Sequence, residues 1–155
     1  MDSKSRDTPP DSVSFYVHAT PKGKGRPRFS QDRWGRVHTR TPEDTRIFED
    51  RVIAAYLEQV GATRQRPYFP KGVPLALIAE ICFAPPASAS KKKKLEMISG
   101  KIRPTKRPDA DNVLKAIADS LNGLAYADDA QVVDMRASKR YDSIEGVRVT
   151  IYPAK

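Results

Sequence analysis

Cysteine and histidine are scarce: Cys82 is the single cysteine of 155 residues, and His18 and His38 are the two histidines. Protein zinc sites draw mainly on those side chains, so one of the usual kind cannot be assembled, and any metal must be held by oxygen. Cys82 lies inside the apolar run "LALIAEICF", where a small buried hydrophobe is the expected role. A lone thiol fits a reducing, cytoplasmic setting. No apolar stretch approaches the roughly 20 residues of a membrane-spanning helix. The start, Met1 to Ser12, is polar, contains Pro9 and Pro10 and resembles neither a signal peptide nor a membrane anchor. It reads as a disordered lead-in to one domain over residues 13–155.

What the chain has in excess is positive charge, with a formal net of +9. Residues 21–40, "PKGKGRPRFSQDRWGRVHTR", carry seven Lys/Arg against one Asp, and residues 91–108, "KKKKLEMISGKIRPTKRP", carry eight against one Glu. Everything else is net acidic. Segregated charge of this kind attracts a polyanion. Either cluster alone reads equally well as solubilising charge, but two together, one interleaved with Phe29 and Trp34, favour nucleic acid. Lys22, Lys24, Arg26, Arg28, Arg33, Arg36 and Arg40 in the first cluster are the expected phosphate contacts. Lys91, Lys92, Lys93, Lys94, Lys106 and Arg107 are their counterparts in the second. Phe29, Trp34 and Tyr68 have the chemistry to wedge between bases, although packing is the expected use of each.

The pattern along the chain predicts an α+β domain with a small mixed sheet of about four strands. "VSFYVHA" alternates as a strand buried on one face, with His18 pointing away. Residues 21–40 lack periodicity and read as a loop or loose hairpin. Thr41 is the expected cap of a helix over residues 42–60 that begins with Pro42, buries Phe48, Val52, Ala55 and Tyr56, and stops at Gly61. "PLALIAEICFAPP" is apolar on both alternating faces and predicts a central strand covered on both sides. Glu80 interrupts it, and a structural partner is the expected explanation, with metal binding as an outside alternative. Ser88 or Ser90 caps a short helix carrying Lys91–Lys94. Val133, Met135 and Ala137, and then Val147, Val149 and Ile151, alternate around "DSIEG", which predicts that these two runs pair as a hairpin.

Against the basic background stands "KRPDADNVLKAIADSLNGLAYADDAQV", residues 106–132. Val113, Leu114, Ile117, Ala118 and Leu121 mark one face of a helix, and Asp111, Lys115, Asp119 and Asn122 the other. One reading is structural: Asp109 or Asp111 caps the helix, and Lys115 pairs with Asp111 and Asp119 one turn to either side. That leaves a second acid before the helix and the Asp128–Asp129 pair unexplained. Hard cations such as Mg²⁺ take carboxylate oxygens, and Asp side chains converging from separate elements suit metal-assisted phosphoryl chemistry. Unless Asp128 and Asp129 lie in a turn, only one of them faces such an ion. An acidic pocket within a polyanion-binding surface makes sense when a cation fills it and basic flanks hold the backbone. Lys115 is then placed to stabilise charge developing on the phosphate.

The pattern Asp-x-Asp-Asn-x-x-x-Lys followed by "DDAQV", together with "PKGKGRPRF" and the central strand, resembles the RusA family of Holliday-junction resolvases. The resemblance implies a homodimer that binds four-way DNA junctions and, with Mg²⁺ or Mn²⁺, nicks two strands symmetrically. The expected cleavage is hydrolysis of a junction phosphate by a water activated at the metal, leaving a 5′-phosphate and a 3′-hydroxyl. Carried over by position, Asp109, Asp111 and Asp129 correspond to the metal-binding carboxylates, with Asp128 beside them, and Lys115 to the essential lysine. Asp119 matches a recurrent family acid. The lysine-rich segment around residues 88–104 and the polar start depart from the shorter members. Members are common in phages and prophages.

Overall fold

The computed structural model describes residues 12–61 and 67–155, so the expected disordered lead-in falls outside the described residues, Ser12 excepted. The elements run in the order β1 (Val13–Val17), β2 (Arg28–Gln31), β3 (Val37–Arg40), α1 (Glu43–Val60), β4 (Leu75–Phe83), α2 (Lys91–Ile98), α3 (Ala110–Ser120), a 3₁₀ turn (Asp129–Gln131), β5 (Val132–Tyr141) and β6 (Gly146–Pro153). Four strands form one mixed sheet in the order β1-β6-β4-β5, and β2 and β3 form a separate two-stranded ribbon.

The expected hairpin between the last two strands does not form. β4 lies between them, parallel to β5 and antiparallel to β6. Periodicity fixes which face a residue takes but not which strand lies next to it. β4 buries Leu75, Leu77, Ala79 and Ile81 on one face and Ala76 and Cys82 on the other. A strand with so little exposed surface gains most where both of its edges are paired, so it takes the centre. Residues 142–145 therefore bridge over the end of β4, where Asp142 N donates to Phe83 O.

Helices α1 and α3 pack on the face that carries Leu75, Leu77, Ala79 and Ile81. There Phe48, Val52 and Tyr56 of α1 and Val113, Leu114, Ile117 and Leu121 join Val147, Val149 and Ile151 of β6 in a single core. Burying side chains of this size contributes roughly 1.5–3 kcal/mol each before the entropy cost is set against it. The opposite face is not covered as expected. Ile78 and Glu80 remain half-exposed there, and Glu80 sits in register with Arg148 of β6 and Ser138 of β5. The pKa of nearby Arg140 is raised chiefly by Cys82, then by Asp142 and least by Glu80, which lies on the side of the sheet away from α3.

One helix start also differs in detail from expectation, and another matches it. Pro42, not Thr41, occupies the cap position of α1, and no side chain caps it. Ser90, one of the two expected serines, caps α2 by accepting from Lys93 N at 3.2 Å. Gly61 ends α1 as expected, at φ 88, a left-handed conformation that costs glycine little.

Candidate active site

The segment "PKGKG", residues 21–25, is laid against the starts of α1 and α3. Buried Thr45 of α1 accepts from Gly25 N and donates to Gly23 O, each at 3.2 Å. Lys24 N donates to Asn112 O at 3.0 Å. A Cβ on Gly25 would stand 2.6 Å from Pro42 Cγ, and one on Gly23 would stand 3.0 Å from Asn112 Cβ. Backbone passing this close to two helices leaves no room for side chains, which is why glycine occupies both positions.

This path turns Lys24 inward. Its Nζ lies 2.7 Å from Glu49 Oε1 of α1 and 3.3 Å from Asp119 Oδ2 of α3. Partial burial works against the ammonium, but its hydrogen bonds to Glu49 and then Asp119 outweigh that and raise its pKa above the usual lysine value. Lys24 thus sits on carboxylates in the folded chain, not among the outward cations.

Asp119 belongs to a cavity of about 360 Å³ lined by Asp111, Asn112, Leu114, Lys115, Ala118, Asp119, Asp129 and Met135. The polar stripe of α3 supplies one wall, and Met135, in register with Leu77 on the helix-packed face of the sheet, supplies part of the other. Neither Asp111 nor Asp119 forms an ion pair with Lys115 within 4 Å among the described residues, so the purely structural account of the stripe does not hold. Asp109 occupies the N-cap position of α3, yet its side chain makes no capping hydrogen bond. It stands at the helix start, outside the cavity lining.

Asp129 reaches the cavity through the 3₁₀ turn. Asp128 caps that turn by accepting from Ala130 N at 3.1 Å. Gln131 completes the motif: its Oε1 accepts from Ala127 N and Asp128 N at 3.0 and 3.2 Å, and its Nε2 donates to Pro70 O and Val73 O at 3.0 and 3.1 Å. One side chain therefore ties the turn to the segment before β4. Nearby, Tyr126 OH donates to Ala118 O at 2.6 Å, fixing the returning chain to α3. The two aspartates do lie in a turn, and they take different parts, Asp128 as the cap and Asp129 in the cavity wall.

Charge in this corner is unbalanced. The hydrogen-bonded Asp128 carboxyl raises the pKa of Asp129, and partial burial and the charges of Asp128 and Asp119 add to the effect. Asp128 moves the other way, chiefly through the Ala130 amide and then through Asp129. A carboxyl whose charged form is disfavoured by neighbouring anions is one whose charge a divalent cation would offset. The donor set is all oxygen, as Mg²⁺ requires, and among the described residues Asp109 and Asp111 have no competing side-chain partners. Among the described residues no three acidic, His or Cys side chains close into a ready-made metal cage. Mg²⁺ commonly takes only one or two carboxylates and completes its shell with water and substrate phosphate, so these residues fit such an ion.

The remaining expected cations lie mostly at the surface. Arg26, Arg28, Arg33, Arg36 and Arg40 are exposed, as are Lys91, Lys92, Lys93, Lys106 and Arg107, while Lys94 is half-buried. Lys22 lines a separate cavity with His18, Asp44 and Arg51. Phe29 and Trp34 are not packed as expected; they are 72% and 73% exposed. Tyr68 does pack, edge-on to Phe69.

Glu49 and Gln131 were not anticipated from sequence. The Asp128-x-x-Gln131 spacing is that of a capping box and marked Gln131. Nothing local marks Glu49, which reaches the site only through Lys24.

Comparison with known proteins places these features. A protein of Bacillus subtilis (strain 168), named Uncharacterized protein YqaN, is 38% identical over 143 residues, covering 91% of this chain and 96% of its own length. Residues 18–152 match the family Endodeoxyribonuclease RusA. That span includes the glycine-lysine segment, the acidic stripe of α3 and the Asp128–Gln131 turn, and on this ground the chain belongs to the RusA family of endodeoxyribonucleases.

Proposed function

We propose that this endonuclease is Mg²⁺-dependent and resolves four-way DNA junctions by paired, symmetric nicks, acting as a homodimer in the cytoplasm of a bacterial or phage-infected cell. The observation that carries the reading is the meeting of Asp111, Asp119 and Asp129 with Lys115 in one cavity. Asp111 and Asp129 would hold the ion, with Asp109 at the helix start and Asp128 beside them. Bound there, Mg²⁺ supplies Lewis acidity towards a phosphoryl oxygen and offsets the carboxylate charge.

The chain's own residues carry the rest. Lys115 is unpaired among the described residues and one helical turn from Asp111, so its ammonium is available to negative charge that grows on the phosphate during hydrolysis. Lys24 holds Asp119 and Glu49 in place instead of contacting DNA. The exposed arginines and lysines bind the phosphate backbone, with affinity that falls steeply with salt. A two-fold dimer suits a two-fold junction with two equivalent cuts.

The test is cleavage of a mobile four-way junction with and without Mg²⁺, with fork and linear duplex beside it. Wild type should cut the junction only with metal. Asp111→Asn should abolish cutting while junction binding survives or tightens, because one anion near the phosphates is lost. Equal cutting of forks would make the enzyme a broader branched-DNA nuclease, and an active Asp111→Asn enzyme would remove Asp111 from the mechanism.

A further inference from the structure

The β2–β3 ribbon stands apart from the core: all eight of its strand residues are exposed. Two-stranded ribbons of this size are marginal by themselves, yet the tip of this one is built with care. Asp32 Oδ1 accepts from Trp34 N and Arg36 N, each at 2.9 Å, and Asp32 Oδ2 lies 3.1 Å from His38 Nε2. Gly35 takes φ 80 to close the turn. The one acid of the ribbon is therefore spent on holding its tip, and Arg28, Arg33, Arg36 and Arg40 remain unopposed within it.

Register divides the ribbon into two faces. Phe29 lies opposite Thr39 and Gln31 opposite Val37, which puts Phe29 and Val37 on one side. Arg28 lies directly opposite Arg40, and Ser30 opposite His38, on the other. Like charges facing each other across a ladder are unfavourable unless an anion lies between them. Trp34 crowns the tip, with the Arg33 guanidinium 5.3 Å from its ring centroid. Phe29, Trp34 and Val37 are 72%, 73% and 64% exposed, large apolar groups left mostly uncovered by the described residues.

An occupant that suits both faces is a polyanion that also offers flat apolar surfaces. Unpaired nucleic acid bases on a phosphate backbone meet both demands, whereas fully paired duplex hides its base faces. The ribbon is also rooted at the active site: Phe29 follows Lys24, the partner of Asp119, by five residues, at most about 18 Å of extended chain. We infer that the β2–β3 ribbon is a stacking element that captures unpaired bases at the DNA branch point, with Phe29 and Trp34 against the bases and Arg28 and Arg40 on the flanking phosphates. This inference rests on the nuclease reading above and names how that site would recognise a branch.

Trp34 is the single tryptophan of the chain, so its emission reports the contact without a label. The experiment titrates Asp111→Asn protein, which keeps the ribbon intact, with a four-way junction, a thymidine 20-mer and a fully paired linear duplex. Stacking predicts strong quenching by the junction and the 20-mer and little by the duplex. No quenching by the first two, or equal quenching by all three, overturns the inference while leaving junction cleavage as a separate result. Conversely, quenching by the 20-mer in a protein that never cuts junctions would sustain the stacking role and sink the resolvase reading. Phe29→Ala should weaken junction binding about 5-fold or more, the loss expected for one stacked base, and Trp34→Phe should retain most of what Trp34→Ala loses. If Phe29→Ala and Trp34→Ala instead leave DNA affinity unchanged but alter the oligomeric mass in solution, the face binds a second copy of the chain and the inference falls.

Discussion

Lys24 and Asp119 meet at 3.3 Å, joining a glycine-bounded segment near the N-terminus to the acidic stripe of α3. Glu49 on the same ammonium, at 2.7 Å, makes this a bridge across three elements. The bridge gives this lysine a duty inside the fold beside the phosphate contact expected of its cluster.

Lys24→Met separates those two duties. Residues that orient the groups of a metal site typically cost about 10- to 100-fold in activity when removed, and that loss of cleavage is expected here. Junction affinity should stay nearly constant, and the dependence of binding on salt should keep its slope. Arg28→Ala should do the reverse, lowering the slope of log K against log salt by about 1 while leaving the cleavage step of bound junction intact. Binding titrations over a salt series beside single-turnover cleavage distinguish the two.

Gln131→Ala removes every bond that ties the 3₁₀ turn to Pro70 and Val73 through that side chain. Asp129 then loses its fixed position against α3. Cleavage should fall about 10- to 100-fold, and higher Mg²⁺ should restore part of it, while junction binding is unaffected. Rates measured over a Mg²⁺ series at saturating protein read this directly.

The pH dependence follows from Asp129. Its folded pKa lies above the ordinary aspartate value of about 3.9. The charged form therefore costs the metal-free fold stability above that pH, and the cost fades as pH falls through the raised folded value. Mg²⁺ binds the deprotonated form. The Mg²⁺-induced rise in Tm should thus be full at neutral pH and shrink as pH is lowered into the window just above about 4. Asp129→Asn should melt higher than wild type without metal at pH 7 and lose much of the gain with it. Thermal melts of both proteins at several pH values provide the check.

Tyr126→Phe deletes the 2.6 Å hydrogen bond to Ala118 O in a buried setting. The expected loss is about 0.5–1.5 kcal/mol, a fall in Tm of a few degrees for a domain of this size. Urea unfolding at constant m-value measures it. Cleavage at a temperature well below the transition should change far less than in Gln131→Ala, since the aspartate turn keeps its own anchor.

The acidic stripe was legible because helical periodicity puts Asp111, Lys115 and Asp119 together whatever surrounds them. Strand faces were legible for the same reason in β1 and β6, where Val13, Phe15, Val17, Val147, Val149 and Ile151 are buried as read, but in the edge strand β5 Val133 and Met135 are exposed. Strand neighbours were not: alternation looks identical whether β6 lies beside β5 or across β4 from it. The use of Lys24 was equally hidden. A lysine in "PKGKGRPRF" looks like its neighbours until the close passage of Gly23 and Gly25 over two helices turns it inward. Phe29 and Trp34 erred in the opposite direction, because large aromatics usually find a core, and here the ribbon that carries them never touches one.

That separation has a consequence for how such a protein diversifies. Substitutions at exposed positions free of special contacts usually shift stability by no more than about 0.5 kcal/mol. Because the strands of the β2–β3 ribbon are solvent-facing throughout, they can be rewritten residue by residue with the catalytic scaffold untouched. Under the stacking role inferred above, relatives sharing one scaffold would be free to acquire different tastes in DNA, with selection acting on the arm and leaving the body alone.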